Sequence, residues 1–255
     1  MALTVANDDV QLAELAAERV TQLIVQVVAD LGSARVSLAG GTTPRRLYEN
    51  LADTRHSWRR RIPWSQVQLF WGDERHVPPD HPDSNFGMAK AALLDHVPIP
   101  SDHVHRVRGE LPDAHEAAAD YERTLAEVAS AFLTAGASAK AVRRKTVFDL
   151  MLLGLGEDAH IASIFPGSEL LERANEGRAA AVWAPHLNVW RVTLTPEAIL
   201  DSQAIVVLVA GTNKADAVHA ALRAQLDVVT YPAQLLRTAG DRVEWFVDRS
   251  AAAHL

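Results

Sequence analysis

Apolar positions along the chain form short runs, and segments with helical periodicity separate them. Residues 36–39, 67–71, 148–153 and 204–209 are near-continuous apolar runs of strand length. Strands of this kind occur in parallel sheets that are covered by helices on both faces. The pattern therefore predicts an α/β fold with a mostly parallel, doubly wound, Rossmann-like sheet and helices on both faces.

The segments between these runs carry helix signals. Asp8 or Asp9 can cap a first helix, and Gly32 can end it. Its apolar stripe is predicted at Leu12, Leu15, Ala16, Leu23, Val27 and Leu31. Residues 113–132 predict a long helix, 135–145 an exposed connector, and 189–194 and 243–247 two late strands. No repeat or clear boundary interrupts the pattern, so a single domain over residues 1–255 is expected.

Composition and charge exclude several classes of protein. Hydrophobic residues make up 48% of the chain and charged residues 22%, as in an ordinary globular protein. With no cysteine, the chain has no disulfide, thiol nucleophile or cysteine-bound metal. No apolar run approaches the ~20 residues that span a bilayer, and no signal peptide is evident, so a cytoplasmic protein without a membrane partner is expected. The formal charge of −7 argues against a nucleic-acid partner and requires a local basic pocket for any anionic substrate.

Four predicted strand exits combine glycine with polar chemistry. They lie at residues 40–43, 72–75, 154–160 and 211–214. In a parallel sheet the loops that leave the carboxyl ends of the strands share one edge, and ligands bind there. The spacing therefore predicts one cleft surrounded by a histidine, carboxylates, an arginine and a lysine.

The first exit has the features of an anion site. Gly40 and Gly41 let the backbone turn sharply and approach a ligand. Thr42 or Thr43 can cap the next helix, and Pro44 suits its first turn. Free N–H groups at that helix start favour a phosphate, so Gly40, Gly41 and Thr42 are candidate binding residues. The alternative is a tight turn with an ordinary cap.

Two cations follow other strand exits. Lys214 lies in the first turn after a buried strand, where acidic residues are usually preferred, so a bound anion would offset its charge. Arg75 has the side chain best shaped for bidentate contact with phosphate or carboxylate. The alternatives are a solvated lysine and a structural pair between Arg75 and Asp73 or Glu74.

His160 is the candidate catalyst. It follows a glycine-rich exit and two acidic residues, Glu157 and Asp158. A neutral imidazole can take a proton from water, and a nearby carboxylate can fix its tautomer, so His160 and Asp158 form the predicted catalytic pair. The alternative is a structural histidine.

No cofactor or metal is predicted. Gly154, Gly156 and Ala159 match the spacing of a dinucleotide fingerprint, but Pro166 and Gly167 cut short the helix that this fingerprint requires. The chain also has no Walker A pattern and no paired-histidine zinc motif.

Several motifs together resemble the 6-phosphogluconolactonase family. They are residues 39–44, residues 71–75 with 83–85, residues 105–110, residues 154–166, residues 191–195 and residues 211–215. These motifs are spread in order over nearly the whole chain, and the one that contains His160 is the most specific.

The resemblance implies metal-independent hydrolysis of a small sugar-phosphate lactone, 6-phosphogluconolactone, by a monomer or small homo-oligomer. By position, His160 is then the expected general base, and Arg75 and Lys214 are expected to hold anionic groups. The loop from Gly40 to Thr42 is expected to line the sugar phosphate site, with Asp73 among the substrate-binding residues. The family usually has glycine immediately before the histidine, whereas this chain has Ala159, which is strained if the position needs a positive φ.

Three rival functions remain at this point. Glucosamine-6-phosphate deaminases share the motif layout but have a glutamate before the proline of the histidine motif, where this chain has Phe165. Asp73, which matches a residue of that family, is retained, so the exclusion is incomplete. A non-catalytic regulator that binds sugar phosphates would have no need of His160. A metal-dependent lactonase would need a cluster of histidine and aspartate ligands that the sequence lacks.

Overall fold

The structure is a computed structural model that describes residues 1–134, 146–172, 177–185 and 187–255. The predicted connector at 135–145 lies outside these residues. Among the described residues, every helix is too short or too polar to span a lipid bilayer.

Nine strands and seven α-helices make up the described fold. The strands are β1 (Ala2–Ala6), β2 (Ala34–Leu38), β3 (Val67–Trp71), β4 (Asp73–Arg75), β5 (Leu150–Leu153), β6 (Ala179–Ala184), β7 (Val189–Leu194), β8 (Ile205–Val209) and β9 (Val243–Asp248). The helices are α1 (Asp9–Leu31), α2 (Thr42–Ala52), α3 (Trp58–Arg61), α4 (Asn85–Ala92), α5 (Ala114–Thr134), α6 (Pro196–Leu200) and α7 (Ala215–Leu222). Thr212–Lys214 is a short 3-10 helix, and the 3-10 segment Pro232–Arg242 contains two helices separated by a kink at Gly240.

The main sheet has six strands in the order β1-β9-β8-β5-β2-β3. All five neighbouring pairs are parallel. Every residue of the central strands β2, β5 and β8 is buried, which agrees with their near-continuous apolar sequences. The predicted doubly wound, mostly parallel α/β fold is confirmed.

A second sheet of three antiparallel strands, in the order β4-β7-β6, was not predicted. Residues 72–75 were expected to be a loop, but Asp73–Arg75 forms β4 and pairs with β7. The expectation is wrong because the charged side chains of this segment find buried hydrogen-bond partners, so it does not need to face solvent.

Helix α1 has the predicted ends, and its buried face matches the predicted apolar stripe in part. Asp8 caps it by accepting a hydrogen bond from the Gln11 N–H, and Gly32 ends it with a left-handed φ of 82°. Leu15, predicted in the apolar stripe, is 39% exposed. Leu12 and Ala16 of the predicted stripe are buried, and Leu23 and Val27 pack partly buried against the core. The rest of the buried face was not predicted, is rich in alanine, and consists of Ala13, Ala17, Val20, Thr21, Ile24 and Val28. The small side chains can form the inner surface because they let the helix approach its neighbours closely.

Two buried tyrosines fix the strand ends from which the site begins. The Tyr48 hydroxyl donates to the Ala39 carbonyl (2.8 Å) and accepts from the Ala39 N–H (2.9 Å). The Tyr121 hydroxyl makes the same pair of bonds with Trp71. Burial raises the pKa of both phenols, so they remain neutral partners of the backbone.

Candidate active site

A cleft of about 260 Å³ lies where the carboxyl ends of the central strands meet. The predicted residues that line it are Gly40, Gly41, Thr42, Asp73, Arg75, His160 and Lys214. Asp158, the remaining predicted residue, contacts His160 directly. The structure therefore brings the whole predicted set together at one edge of the sheet, as the strand-exit argument expects.

The first loop approaches its neighbours closely enough to require glycine. A Cβ at Gly40 would lie 1.9 Å from Oδ1 of Asn85, and Gly41 adopts a φ of 100°. Gly41 is the N-cap of α2, and no side chain caps this helix, so the expected cap from Thr42 or Thr43 is wrong. Both threonines lie inside the first turn, past the N-cap position whose side chain can accept the free N–H groups two or three residues further on. The residues of this turn line the cleft, and the start of a helix without a side-chain cap suits an anion.

His160 and Asp158 form a hydrogen-bonded pair at the cleft. Nδ1 of His160 lies 2.5 Å from Oδ1 of Asp158, which also accepts the His160 backbone N–H at 3.2 Å. Partial burial acts to raise the pKa of Asp158, but the hydrogen bond and the charge of His160 outweigh it and lower this pKa to about 2. An ionised carboxylate can only accept, so Nδ1 carries the proton and Nε2 keeps a free lone pair when the ring is neutral. This is the tautomer that a general base needs.

The backbone of residues 154–160, here called the histidine loop, is tightly constrained. A Cβ at Gly156 would lie 2.0 Å from Nδ1 of His160, so a side chain there would displace the ring. Ala159 has a φ of 62°, in the region that favours glycine. An L-residue in this region costs roughly 1–2 kcal/mol. The strain expected at Ala159 is therefore present, and the loop keeps its shape in spite of it.

Asp73 lines the cleft, but its carboxylate is already engaged. Oδ2 accepts a hydrogen bond from the Ser163 hydroxyl (2.6 Å) and lies 3.6 Å from Nη1 of Arg191. The Asn85 amide donates to the Asp73 carbonyl (2.8 Å) and to Oδ1 (3.3 Å). Asp73, on β4, thus contacts β7, α4 and the segment after His160, and its carboxylate faces the guanidinium of Arg191.

Arg191 and Asn85 also line the cleft, although neither is among the predicted site residues. Arg191 lies on β7 directly opposite Arg75 of β4, and it is only 8% exposed. Burial lowers the pKa of Arg191, while the charge of Asp73 acts to raise it. Nη1 of Arg75 donates to the Asp83 carbonyl (2.5 Å). Two sequence features could have identified Arg191 as a site residue. It begins the motif at residues 191–195, and a chain with a net charge of −7 needs cations to bind an anion.

Lys214 is half-buried in the 3-10 turn between β8 and α7. Burial lowers its pKa, and the carboxylates of Glu157 and Asp158 act to raise it. The turn begins at Gly211, whose N–H donates to both carboxylate oxygens of the buried Asp248 (3.2 and 3.1 Å). Lys214, Arg75 and Arg191 therefore place three cations around the cleft.

This arrangement can hold an anion beside a histidine whose Nδ1 is engaged by Asp158. Within the ranges that the structure describes, no group of three or more histidine, aspartate or glutamate side chains is arranged to hold a metal ion. The segment after Gly156 forms turns and not the helix of a dinucleotide site.

Comparison with known sequences identifies relatives along almost the whole chain. The family model for glucosamine-6-phosphate isomerases/6-phosphogluconolactonase matches residues 7–245. The chain is 35% identical to the 6-phosphogluconolactonase of Synechocystis sp. over 251 residues, which cover 96% of this chain and 94% of that protein. It is 37% identical to the 6-phosphogluconolactonase of Mycobacterium tuberculosis over 248 residues, with the same coverage of 96% and 94%.

Solved structures share the fold. The 6-phosphogluconolactonase from Trypanosoma brucei matches with a TM-score of 0.81 and 28% identity over 100% of this chain and 98% of that one. A monomeric glucosamine-6-phosphate deaminase matches with a TM-score of 0.80 and 21% identity over 100% of both chains. Because proteins named for two different activities have this architecture, the fold alone does not select between them.

Proposed function

The chain belongs to the family of glucosamine-6-phosphate isomerases and 6-phosphogluconolactonases, and we propose that it is a 6-phosphogluconolactonase. The reaction is hydrolysis of 6-phospho-D-glucono-1,5-lactone to 6-phosphogluconate, in the oxidative pentose phosphate pathway. The relatives named above that are more than 30% identical to the chain are 6-phosphogluconolactonases, which supports this activity over the isomerase activity.

The observation that carries the proposal is the His160–Asp158 pair beside three cations. His160 supplies a lone pair at Nε2, because Nδ1–H is held by the Asp158 carboxylate. Arg75, Arg191 and Lys214 supply positive charge in a chain whose net charge is −7. Hydrolysis of an anionic lactone needs a base for water and a site for the anion, and this cleft has both.

In the proposed mechanism, Nε2 of His160 takes a proton from water as the water oxygen attacks the lactone carbonyl carbon. The negative charge that develops on the carbonyl oxygen is stabilised by a cation or a backbone N–H of the cleft. Collapse of the tetrahedral intermediate breaks the bond to the ring oxygen, and the His160 imidazolium returns its proton to that oxygen. Asp158 keeps the ring oriented and stabilises the imidazolium. General-base assistance of this kind contributes typically ~10²–10⁴-fold.

Anion binding is assigned to two groups of residues that line the cleft. The Gly40–Thr42 loop and the uncapped start of α2 offer N–H groups to the phosphate, and Lys214, which lines the same cleft, offers a positive charge. Asp73 is assigned a positioning role, because its oxygens already accept from Ser163 and Asn85 and face Arg191. A carboxylate in this position repels a phosphate and instead orients the arginine that attracts one.

The deaminase activity is disfavoured by the environment of His160. The ring of Phe165 packs 4.7 Å from the imidazole at the position where the deaminase motif has a glutamate. Phenylalanine cannot transfer a proton, so the acid–base group that an aldose–ketose isomerisation needs is missing at this position.

One comparison of substrates tests the proposed function. We expect the protein to release acid from fresh 6-phosphogluconolactone faster than the spontaneous rate, and to release no ammonia from glucosamine 6-phosphate. Ammonia release without acid release would overturn the proposal in favour of the isomerase. Absence of both activities would indicate a binding protein that lacks catalysis.

A cytoplasmic location, a single domain over residues 1–255 and a monomer or small homo-oligomer also stay predictions.

A further inference from the structure

Two loops of the cleft contact each other through a side-chain hydrogen bond at its rim. Nδ2 of Asn213 donates to Oε1 of Glu157 at 2.6 Å. Asn213 immediately precedes Lys214 in the turn after β8, and Glu157 immediately precedes Asp158 in the loop after β5. Strands β5 and β8 are parallel neighbours, so their carboxyl-end loops emerge side by side.

The histidine loop has several fixed points of its own. The Gly156 N–H donates to the His160 carbonyl (2.9 Å), and the Ala159 N–H donates back to the Gly156 carbonyl (3.1 Å). The Ala159 carbonyl accepts the Ala233 N–H (2.9 Å), which ties the loop to the start of the 3-10 segment Pro232–Arg242. This loop is therefore a firm support for whatever bonds to it.

The turn formed by residues 211–214, here called the lysine turn, is held by hydrogen bonds on the sides of both strands that neighbour β8. On the β9 side, the Gly211 N–H donates to the carboxylate of Asp248. On the β5 side, the tie is the bond between Asn213 and Glu157. A Cβ at Gly211 would lie 2.8 Å from Oδ1 of Asn213, so the glycine leaves room for the rotamer that aims Nδ2 at Glu157.

We propose that Asn213 is a positioning residue for Lys214, and that the hydrogen bond from Asn213 to Glu157 fixes the position of the Lys214 ammonium group in the cleft. The proposal rests on the proposed function, in which Lys214 holds the phosphate of the substrate. The histidine loop is the support and the lysine turn is the part that is positioned. Loss of the bond should therefore affect recognition of the phosphate and leave the His160–Asp158 pair in place.

The electrostatics agree with this role. Burial lowers the pKa of Lys214, and the Glu157 carboxylate acts to raise it, so Glu157 also favours the charged form of the lysine. Glu157 and Asn213 are both exposed. An exposed hydrogen bond contributes little to folding, so variants at these positions should fold normally and report on the cleft.

The test measures kcat and KM on 6-phosphogluconolactone and on unphosphorylated gluconolactone for a set of variants. We expect Asn213→Ala and Glu157→Ala to lower the phosphorylated substrate's advantage in kcat/KM by about three- to tenfold, mainly through KM. Glu157→Gln keeps an acceptor oxygen and should restore most of the advantage. Gln26→Ala is the matched control, because Gln26 makes an exposed amide–carboxylate bond with Asp30 (2.8 Å) on α1, outside the cleft.

A double variant tests whether the effect passes through the lysine. If Asn213 acts by positioning Lys214, then Asn213→Ala should add almost nothing to the loss caused by Lys214→Ala. Additive losses would overturn the proposal. An unchanged preference of Asn213→Ala for the phosphorylated substrate would overturn it as well. So would a loss in Glu157→Gln as large as in Glu157→Ala, because the charge of Glu157 and not its hydrogen bond would then be responsible.

Failure of the proposed function would be visible separately. It would appear as a wild-type protein that does not hydrolyse 6-phosphogluconolactone at all. In that event titration calorimetry with 6-phosphogluconate as the probe decides the positioning role, because it needs no turnover. The positioning role is supported if Asn213→Ala and Glu157→Ala bind 6-phosphogluconate more weakly than wild type while Glu157→Gln and Gln26→Ala bind it nearly as well. Equal affinity of wild type and Asn213→Ala for 6-phosphogluconate refutes it.

Discussion

Replacement of Lys214 by methionine separates the two roles that a cation can have in this cleft. Methionine keeps the unbranched stem and removes the charge. Lys214 is half-buried and lines the cleft, so its charge is screened less than that of a surface lysine. A hydrogen bond to a charged group contributes about 1.5–3 kcal/mol. With about 1.4 kcal/mol per factor of ten, the loss on a phosphorylated substrate should be about ten- to hundredfold.

The assay follows acid release from 6-phosphogluconolactone and from gluconolactone, with the spontaneous rate subtracted. If Lys214 holds the phosphate, kcat/KM falls by this factor on the first substrate and stays nearly constant on the second. If it stabilises the oxyanion, both substrates slow by similar factors. Lys90→Met is the control, since Lys90 is exposed, pairs with Asp95 (2.5 Å) and lies outside the cleft.

Two results would refute the reasoning in different ways. Equal slowing of both substrates would reassign Lys214 from the phosphate to the reacting carbonyl. No slowing of either would mean that Lys214 is a solvated cation without a role in the reaction. The same pair of measurements on Arg75→Ala sorts the arginine into one of these classes.

Four further outcomes are expected. His160→Ala should fold normally, as checked by circular dichroism, and lose most hydrolysis above the spontaneous rate; near-normal turnover would remove His160 from the mechanism. Activity should survive dialysis against a strong chelator, because the chain has no cysteine and its described residues form no cluster of metal ligands; a loss that zinc restores would contradict this. Ser163→Ala removes a donor from buried Asp73 and should lower the free energy of unfolding by about 1–3 kcal/mol in denaturant titrations; a change within error would show that another donor takes its place. The pKa of Asp158 is lowered from 3.8 to about 2, so the ionised carboxylate contributes fully to stability above about pH 4, and this contribution is lost as the pH falls toward 2. The difference in Tm between wild type and Asp158→Asn should therefore shrink between about pH 4 and about pH 2. A constant difference would contradict the assigned cause of the pKa shift.

The apolar runs and the polar residues that follow them were enough to predict which loops surround the cleft. The apolar runs at β2, β3, β5 and β8 identify buried parallel strands, and the residues that follow each run were correctly expected at one sheet edge. The exit of β3 was mistaken for a loop because charged residues in sequence resemble solvent-exposed ones. Only the folded chain shows that the carboxylates of Asp73 and Glu74 are buried and hydrogen-bonded.

What the sequence determined by itself is the set of elements and the chemistry at their ends. Strand periodicity, glycines and a histidine beside a carboxylate act over a few residues, so they can be recognised without the fold. The tertiary structure decided which partners meet. Ser163 reaches Asp73 from 90 positions away, and Arg191 comes to stand opposite Arg75 through the pairing of β4 with β7. Such contacts depend on strand register and side-chain direction, which are fixed only when distant segments pack together.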